Sequence, residues 1–470
     1  MNIAEITLKT TPEDQIKVLM VDRGDKPKLE DLKKDWKVSE HRTITDTSFL
    51  PNKEIKDPEG KVIKTKMVNR IAMPVQKYIV NSAVSFGFGN PVTIQSNAEV
   101  GSQEETVEKA IQKILLQNKA DIKNRQAARE LYRSTEIAEY WYYQKSEPHE
   151  DYGFPCNFRI KLKLFIPWKN DTLYPMFNEY DDMVAFSRGF TLLNAEKKAI
   201  EYFETFTDTE IVRFMKGENG WEIVPIEEAG KNPIEKIPVV YGTQEETEYE
   251  DVKYDIERLE LLLSRHAEIN DYHAAPTTFI KGKVTGLPQA GESNKAIQGG
   301  PESDMKVLSW DAAPESVKLE IETRLENIHK FTKTPDLFRQ VKGLNQVSGI
   351  MLKMLFMDAH LKVQEKAEIW EEYFTRRYNI LKAYVGKLLN TSLLEASNKL
   401  ELEPVIKPYM IQDTKEWVET LMTANGNKPL ISQQLSAELS ALAPAEDWIV
   451  LQAEQEAEKT ENVFGNPTDL

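Results

Sequence analysis

The stretch Thr334-Pro335-Asp336-Leu337-Phe338-Arg339-Gln340-Val341-Lys342-Gly343-Leu344-Asn345-Gln346-Val347-Ser348-Gly349 decides the reading of this chain, because it joins two segments with helical apolar spacing. On its N-terminal side Val317, Ile321, Leu325 and Ile328 line one face of a helix that Pro314 can open. Thr334 stops that helix, since the residue before a proline avoids the α region. On its C-terminal side Ser348 can cap a helix over 349–390, where Leu352, Phe356, Ala359, Val363, Ala367, Trp370, Phe374 and Leu381 recur at helical spacing. Roughly 40 residues at about 1.5 Å each give a rod of roughly 60 Å. Gly343 and Gly349 let the intervening loop bend. Taken alone, this arrangement leaves a coiled-coil stalk and a ring subunit equally open, although its spacing drifts from a strict seven-residue repeat.

Upstream, Val252, Ile256, Leu259 and Leu263 share one face of a helix over 246–270, behind the acidic run Glu245, Glu246, Glu248, Glu250 and Asp251. That run reads as a helix N-terminus favoured by negative charge, since it lacks the spacing that bends a loop around calcium. A compact insert, with strands over 277–282 and 305–308, separates this helix from the one that Pro314 opens. In the N-terminal half, Thr11 and Pro12 open a first helix and 29–36 form a second. Asp57-Pro58-Glu59-Gly60 makes a β-turn in an exposed loop, and 68–86 form a helix stopped by Gly87-Phe88-Gly89-Asn90-Pro91. One helix is expected over 103–131, after a short strand at 92–94. Strands are expected at 135–145, 158–166, 184–188, 199–206, 210–216, 221–224 and 239–242, and one more at 400–406. The fold class is α+β: a mostly antiparallel sheet flanked by helices.

The 470 residues carry 40% apolar and 29% charged side chains, a globular composition with room for two to four domains. No run of about 18 apolar residues occurs, and Met1-Asn2-Ile3-Ala4-Glu5 lacks a signal-peptide pattern. The single cysteine, Cys156, excludes an internal disulfide and reads as an inert buried thiol suited to a reducing cytoplasm. A net charge of −16 is wrong for tight binding to nucleic acid over a large surface. It suits a wall past which DNA has to slide. No phosphate-binding, zinc-hydrolase, nucleophile-elbow or dinucleotide motif is present; Gly282-Lys283-Val284-Thr285 lacks the upstream glycine of a phosphate cradle. His266 and His273 lack a completing ligand set, so no metal and no cofactor is expected. Tyr140-Trp141-Tyr142-Tyr143 reads as sheet core rather than a base-stacking platform. A hydrolase or nuclease built on Asp181, Asp182 and Asp208, and a channel-free coiled-coil adaptor, are the competing readings.

Four segments, in order, resemble the portal proteins of tailed bacteriophages of the siphophage type. They are Asn69-Arg70-Ile71-Ala72-Met73-Pro74 through Gly89-Asn90-Pro91-Val92, then Val239-Val240-Tyr241-Gly242, then the 334–352 stretch, and finally Leu430-Ile431-Ser432-Gln433-Gln434. The last departs from the family pattern, with Gln434 and Leu435 around an expected threonine. The resemblance implies a portal fold: an N-terminal wing over 1–245, stem helices over 246–270 and 314–335, and a clip over 271–313 between them. A tunnel loop over 336–347, a long wing helix over 348–390 and a crown over 391–470 complete it. It implies a ring, usually of twelve subunits, at one capsid vertex of the virion, assembled in the host cytoplasm, with no enzymatic step. Its partners would be double-stranded DNA, passed without sequence reading, terminase, a head-completion adaptor, and capsid and scaffolding proteins, with no membrane. Phe338, Arg339, Gln340, Lys342 and Asn345 would then face DNA from the loop, and Glu320, Glu322, Arg324 and Lys330 would line the channel. In such a ring Arg339 and Lys342 become circles of positive charge that touch phosphates.

Overall fold

The computed structural model describes residues 1–21, 26–224, 231–273, 277–281, 284–286, 298–299, 304–308, 314–336 and 356–409, together with 24, 354 and 423. The chain opens with α1 (Ile3–Thr7), α2 (Pro12–Leu19), α3 (Leu29–Trp36) and α4 (Arg42–Thr45). Next come β1 (Lys53–Lys56), β2 (Val62–Lys66), α5 (Val75–Phe88), β3 (Thr93–Ser96), α6 (Gln103–Gln117) and α7 (Ala120–Ser134). The strands β4 (Glu136–His149), β5 (Cys156–Phe165), β6 (Thr172–Phe177), β7 (Met183–Leu193), β8 (Ala199–Phe206), β9 (Ile211–Gly217), β10 (Gly220–Val224) and β11 (Val239–Thr243) follow. Then α8 (Lys253–His273) and α9 (Pro314–Phe331) bracket β12 (Thr277–Lys281), β13 (Val284–Gly286), β14 (Gln298–Gly299) and β15 (Asp304–Leu308). Last are α10 (Met357–Ala383), α11 (Leu394–Lys399) and β16 (Leu402–Val405).

The α+β expectation holds, and the described sheets pair antiparallel. A three-stranded sheet in the order β11-β4-β5 lies against a five-stranded one in the order β10-β9-β8-β7-β6. Strand alternation makes this packing. Phe186, Phe206 and Ile211 enter the space between the sheets with Phe165 and Val239. Their neighbours Ala185, Phe203 and Phe214 face the other side, where Ile3, Ile16 and Leu19 of α1 and α2 cover them. The free face of the three-stranded sheet carries Ile137, Trp141 and Ile160 into the main core. There α5, α6, α7 and the aromatic stripe of α10, Trp370, Tyr373, Phe374 and Tyr378, bury their apolar faces. Gly242 of β11 is needed where α10 crosses, because a Cβ there would stand 3.0 Å from the Tyr373 ring.

Several elements differ from the sequence reading. The helix expected from 68 begins at Val75, and 69–73 run extended beside α8. The reason is a match of repeats: Asn69, Ile71 and Met73 donate their backbone N–H to Glu268, Ser264 and Glu260, 2.6, 2.9 and 2.8 Å away. Four helical residues rise about 6 Å and two extended residues about 6.6 Å, so each alternate amide meets the next helical turn. The single helix expected over 103–131 breaks into α6 and α7 at Lys119, which is left-handed at φ 53. Asn118 holds the break: its amide donates to Ile160 O and its Oδ1 accepts from Leu162 N, both at 2.9 Å. The expected 349–390 rod is α10, 27 residues and about 40 Å, continuing as a π-helix over Tyr384–Leu389; residues 349–353 and 355 lie outside the described residues.

Two compact units divide the chain, 1–342 with 355–409 and 343–354 with 410–470. Residues 391–409, expected in the crown, belong to the first unit, where β16 pairs with β3 from Leu402↔Ser96 to Val405↔Thr93. The rest of the expected crown, including Leu430 to Leu435, lies outside the described residues.

Candidate functional site

The helix pair that brackets the strand insert is the first part of the site. Arg258 of α8 donates to both carboxylate oxygens of Glu320, at 3.0 and 3.3 Å, and Arg324 of α9 pairs with Asp255. Residue numbers rise along one helix as they fall along the other, so α8 and α9 run antiparallel. Ile328 is buried and Ile321 and Leu325 pack on the same core as Ile256 and Leu259, which fixes the rotation of α9 about its axis. The hydrogen bond from Arg258 holds the Glu320 carboxyl below its ordinary range. Of the four residues expected to line a channel, Glu320 and Arg324 therefore turn toward α8, engaged in ion pairs of the same chain. Glu322 stands 4.0 Å from Lys318 on the outer part of α9, and Lys330 is exposed. Between the helices, β12 pairs with β15 and β13 with β14, giving the strand-containing insert that was expected.

The second part is the root of the decisive loop. After α9, Thr334 N donates to His329 O at 2.9 Å, His329 Nδ1 lies 3.0 Å from Thr334 O, and Tyr78 donates to Pro335 O at 3.1 Å. The chain returns at Phe356, whose ring lies 5.3 Å from that of Phe86. Both roots thus rest on α5, at positions eight residues apart and hence about 12 Å along one helix. Phe338, Arg339, Gln340, Lys342 and Asn345 lie outside the described residues.

A clamp secures these roots. Lys362 and Lys366, one turn apart on α10, bind the two oxygens of Glu248 at 2.7 and 2.6 Å. Lys362 also donates to Thr332 O, just beyond α9, at 2.9 Å. Burial pushes the Glu248 carboxyl up, but the two ammonium groups outweigh it and hold the group below its ordinary value. The acidic run is thus not simply a helix N-terminus: α8 starts at Lys253, and Glu248 is turned inward to tie the chain before α8 to α10 and, through Lys362, to the end of α9. About three turns further on, Arg377 binds Glu139 of β4 in a bidentate pair at 2.7 and 2.6 Å and donates to Asn124 of α7 at 2.9 Å. Trp141 Nε1 completes the Glu139 shell at 2.8 Å. Sequence reading missed both networks. Their one visible signal was Lys362 and Lys366 standing within the apolar stripe of Ala359, Val363 and Trp370, where a solvated charge has no place.

The catalytic alternatives find no common site. Asp208 pairs with the Met1 ammonium at 2.5 Å, while Asp181 sits in a left-handed turn. Among the described residues no three His, Cys, Asp or Glu side chains gather as a metal site. Cys156 is buried beside His149, with Sγ 3.6 Å from Nε2, and burial raises its thiol, which keeps it protonated and unreactive. An open hollow of about 750 Å³ is lined by Glu368, Glu371, Glu372 and Arg376 with Asp208 and Lys236.

Comparison with known proteins agrees with the sequence resemblance. Residues 26–461 match the family described as phage portal protein, SPP1 Gp6-like. Among solved structures, the neck of an empty gene transfer agent particle, computed with C6 symmetry, is similar at 11% identity and a TM-score of 0.38, over 86% of this chain and 94% of that one. The neck of the native particle, computed with C12 symmetry, is similar at 12% identity and a TM-score of 0.36, over 79% and 89% of the two chains. No curated protein matches.

Proposed function

The chain belongs to the SPP1 Gp6-like phage portal proteins, and on that premise we propose that it builds the ring through which double-stranded DNA enters and leaves a capsid. It is a structural protein of the virion neck and not an enzyme. In the ring, of twelve subunits by the family resemblance, 246–270 and 314–335 are the stem, 271–313 the clip, 336–347 the tunnel loop, 348–390 the long helix of the wing, and 391–470 the crown. Terminase docks on the clip during packaging and a head-completion adaptor afterwards; capsid and scaffolding proteins surround the wing.

The observation that carries this reading is the loop root. Its two ends rest on one helix, and its flanking helices are tied together by Lys362, Lys366 and Glu248, which gives the segment between them a fixed frame. That is what a loop touching a moving DNA requires. Arg339 and Lys342 supply the phosphate contacts, weak and independent of sequence. On the stem, Glu320 and Arg324 are bound to α8, and the exposed Lys330 is the one of the four expected residues that we assign to the channel wall.

Reversing Arg339→Glu and Lys342→Glu together tests it. The double variant is expected to form rings and heads but to leave most heads empty of DNA, measured by nuclease-protected DNA per particle. Full packaging by the variant would remove the loop from the account.

A further inference from the structure

The hairpin β1–β2 has no part in the core, and its surface chemistry is unlike the rest of the chain. Lys53, Glu54, Ile55 and Lys56 pair with Lys66, Thr65, Lys64 and Val62 around the Asp57–Gly60 turn. Every residue of both strands is exposed. A two-stranded hairpin in this condition is marginally stable in water and needs a surface on which to lie. It presents large apolar side chains to solvent: Ile55 at 45%, Val62 at 42%, Ile63 at 66% and Met67 at 77% exposure. It is also basic, with Lys53, Lys56, Lys61, Lys64 and Lys66 against Glu54, Asp57 and Glu59, in a chain of net charge −16.

The base of the hairpin fixes its level. Lys53 binds Glu268 at 2.7 Å, and Asn69 Nδ2 binds Asp271 at 2.5 Å, both near the C-terminal end of α8. Because Asp255 faces Arg324 and Arg258 faces Glu320 across the antiparallel pair, residue 268 stands about one turn beyond the start of α9. From that level Glu315 lies about 7 Å and Leu319, 65% exposed, about 13 Å along α9. An arm carrying lysines and isoleucines and a helix start carrying a carboxylate and a bare leucine are complementary in charge and in apolar surface. The strands, four and five residues and so about 13–17 Å long, span the offset between the hairpin base and these residues, so a rotation about an axis parallel to the helix pair can bring the arm of one copy onto the helix of the next. That is a heterologous contact, the kind that closes into rings.

We propose that the hairpin 53–66 is an assembly arm that packs on the first turns of α9 in a second copy of this chain, Ile55 and Ile63 against Leu319 and the distal lysines toward Glu315. The proposal rests on the ring reading in requiring self-association and adds the contact that drives it. A DNA partner would use the lysines but leave the four apolar side chains in water, which favours protein as the occupant.

The test uses the full chain. Ile55→Ser, Ile63→Ser, Lys61→Glu and Lys64→Glu combined should raise the protomer concentration for half-assembly by at least about tenfold, read by mass photometry. The thermal melt of the unassembled protein should stay unchanged, because none of the four side chains is in the core. Separately, Ile63→Cys with Leu319→Cys in a Cys156→Ser background, oxidised with copper phenanthroline, should give a denaturing-gel ladder that climbs one subunit at a time. Each single-cysteine chain should stop at a dimer. Unchanged assembly of the four-site variant, or a double-cysteine chain that links only within itself, would overturn the arm while leaving the ring standing. Unchanged assembly with weakened DNA retention would reassign the hairpin to nucleic acid and equally overturn it. A wild-type chain that stays monomeric would remove both arm and ring.

Discussion

Arg377 and Glu139 are fully buried, so their attraction is offset by the cost of taking both charges from water. Their value lies in what happens when one is lost. Arg377→Met strands a carboxylate among Trp141, Tyr373 and Phe374 and is expected to cost about 3–5 kcal/mol, read as a lowered melting midpoint; Arg377→Met with Glu139→Met should recover most of it. A double variant no more stable than the single would contradict the pairing. Glu248 gives a second residue-scale expectation. Its carboxyl titrates below the ordinary 4.5 in the folded chain, so the stability it contributes is fully present above that value and is lost as pH falls through the lower, folded one. Melts between pH 6 and pH 3 should show this loss in the wild type and a flatter profile in Glu248→Gln. Equal slopes in the two would exclude the clamp as a source of acid sensitivity.

At the scale of elements, the α8–α9 pair combines a buried apolar seam with ion pairs that solvent reaches. Arg258 and Glu320 are each more than one-third exposed, and such pairs contribute at most about 1 kcal/mol. Arg258→Ala should therefore move the melting midpoint little, whereas Ile328→Ala, which opens a cavity in the main core, should cost about 2–5 kcal/mol. The reverse order would mean that charge, not the apolar seam, sets the stem. The helices of the stem and the α10 stripe were legible because apolar residues repeat along them at helical spacing. What escaped was set by partners distant in sequence. The turn at Lys119 depends on Asn118 reaching β5, and the extended run 69–73 depends on three side chains of α8. β6 went unread because Pro175 interrupts its pattern, yet β6 is an edge strand, where a missing N–H is tolerated. The candidate site was legible only in outline: the loop could be bracketed from Thr334 and Ser348, but the Glu248 clamp at its root could not, since an acidic run before a helix has a simpler explanation in sequence alone.

On the scale of the whole molecule, the proposed ring sets an acidic chain around DNA and leaves the gripping to a few residues. In that ring a net charge of −16 repels phosphate and lets the duplex slide, with contact assigned to Arg339 and Lys342. In the proposed ring each copy contributes one loop, one stem pair and one arm, so the proposed function requires copies to close around an axis. The direct measurement is electron microscopy of the purified full-length protein, with its particle mass. The account predicts closed rings with a central channel and a mass near twelve times the 54.0 kDa chain. Monomers or dimers at every concentration, with no annular particles, would contradict it.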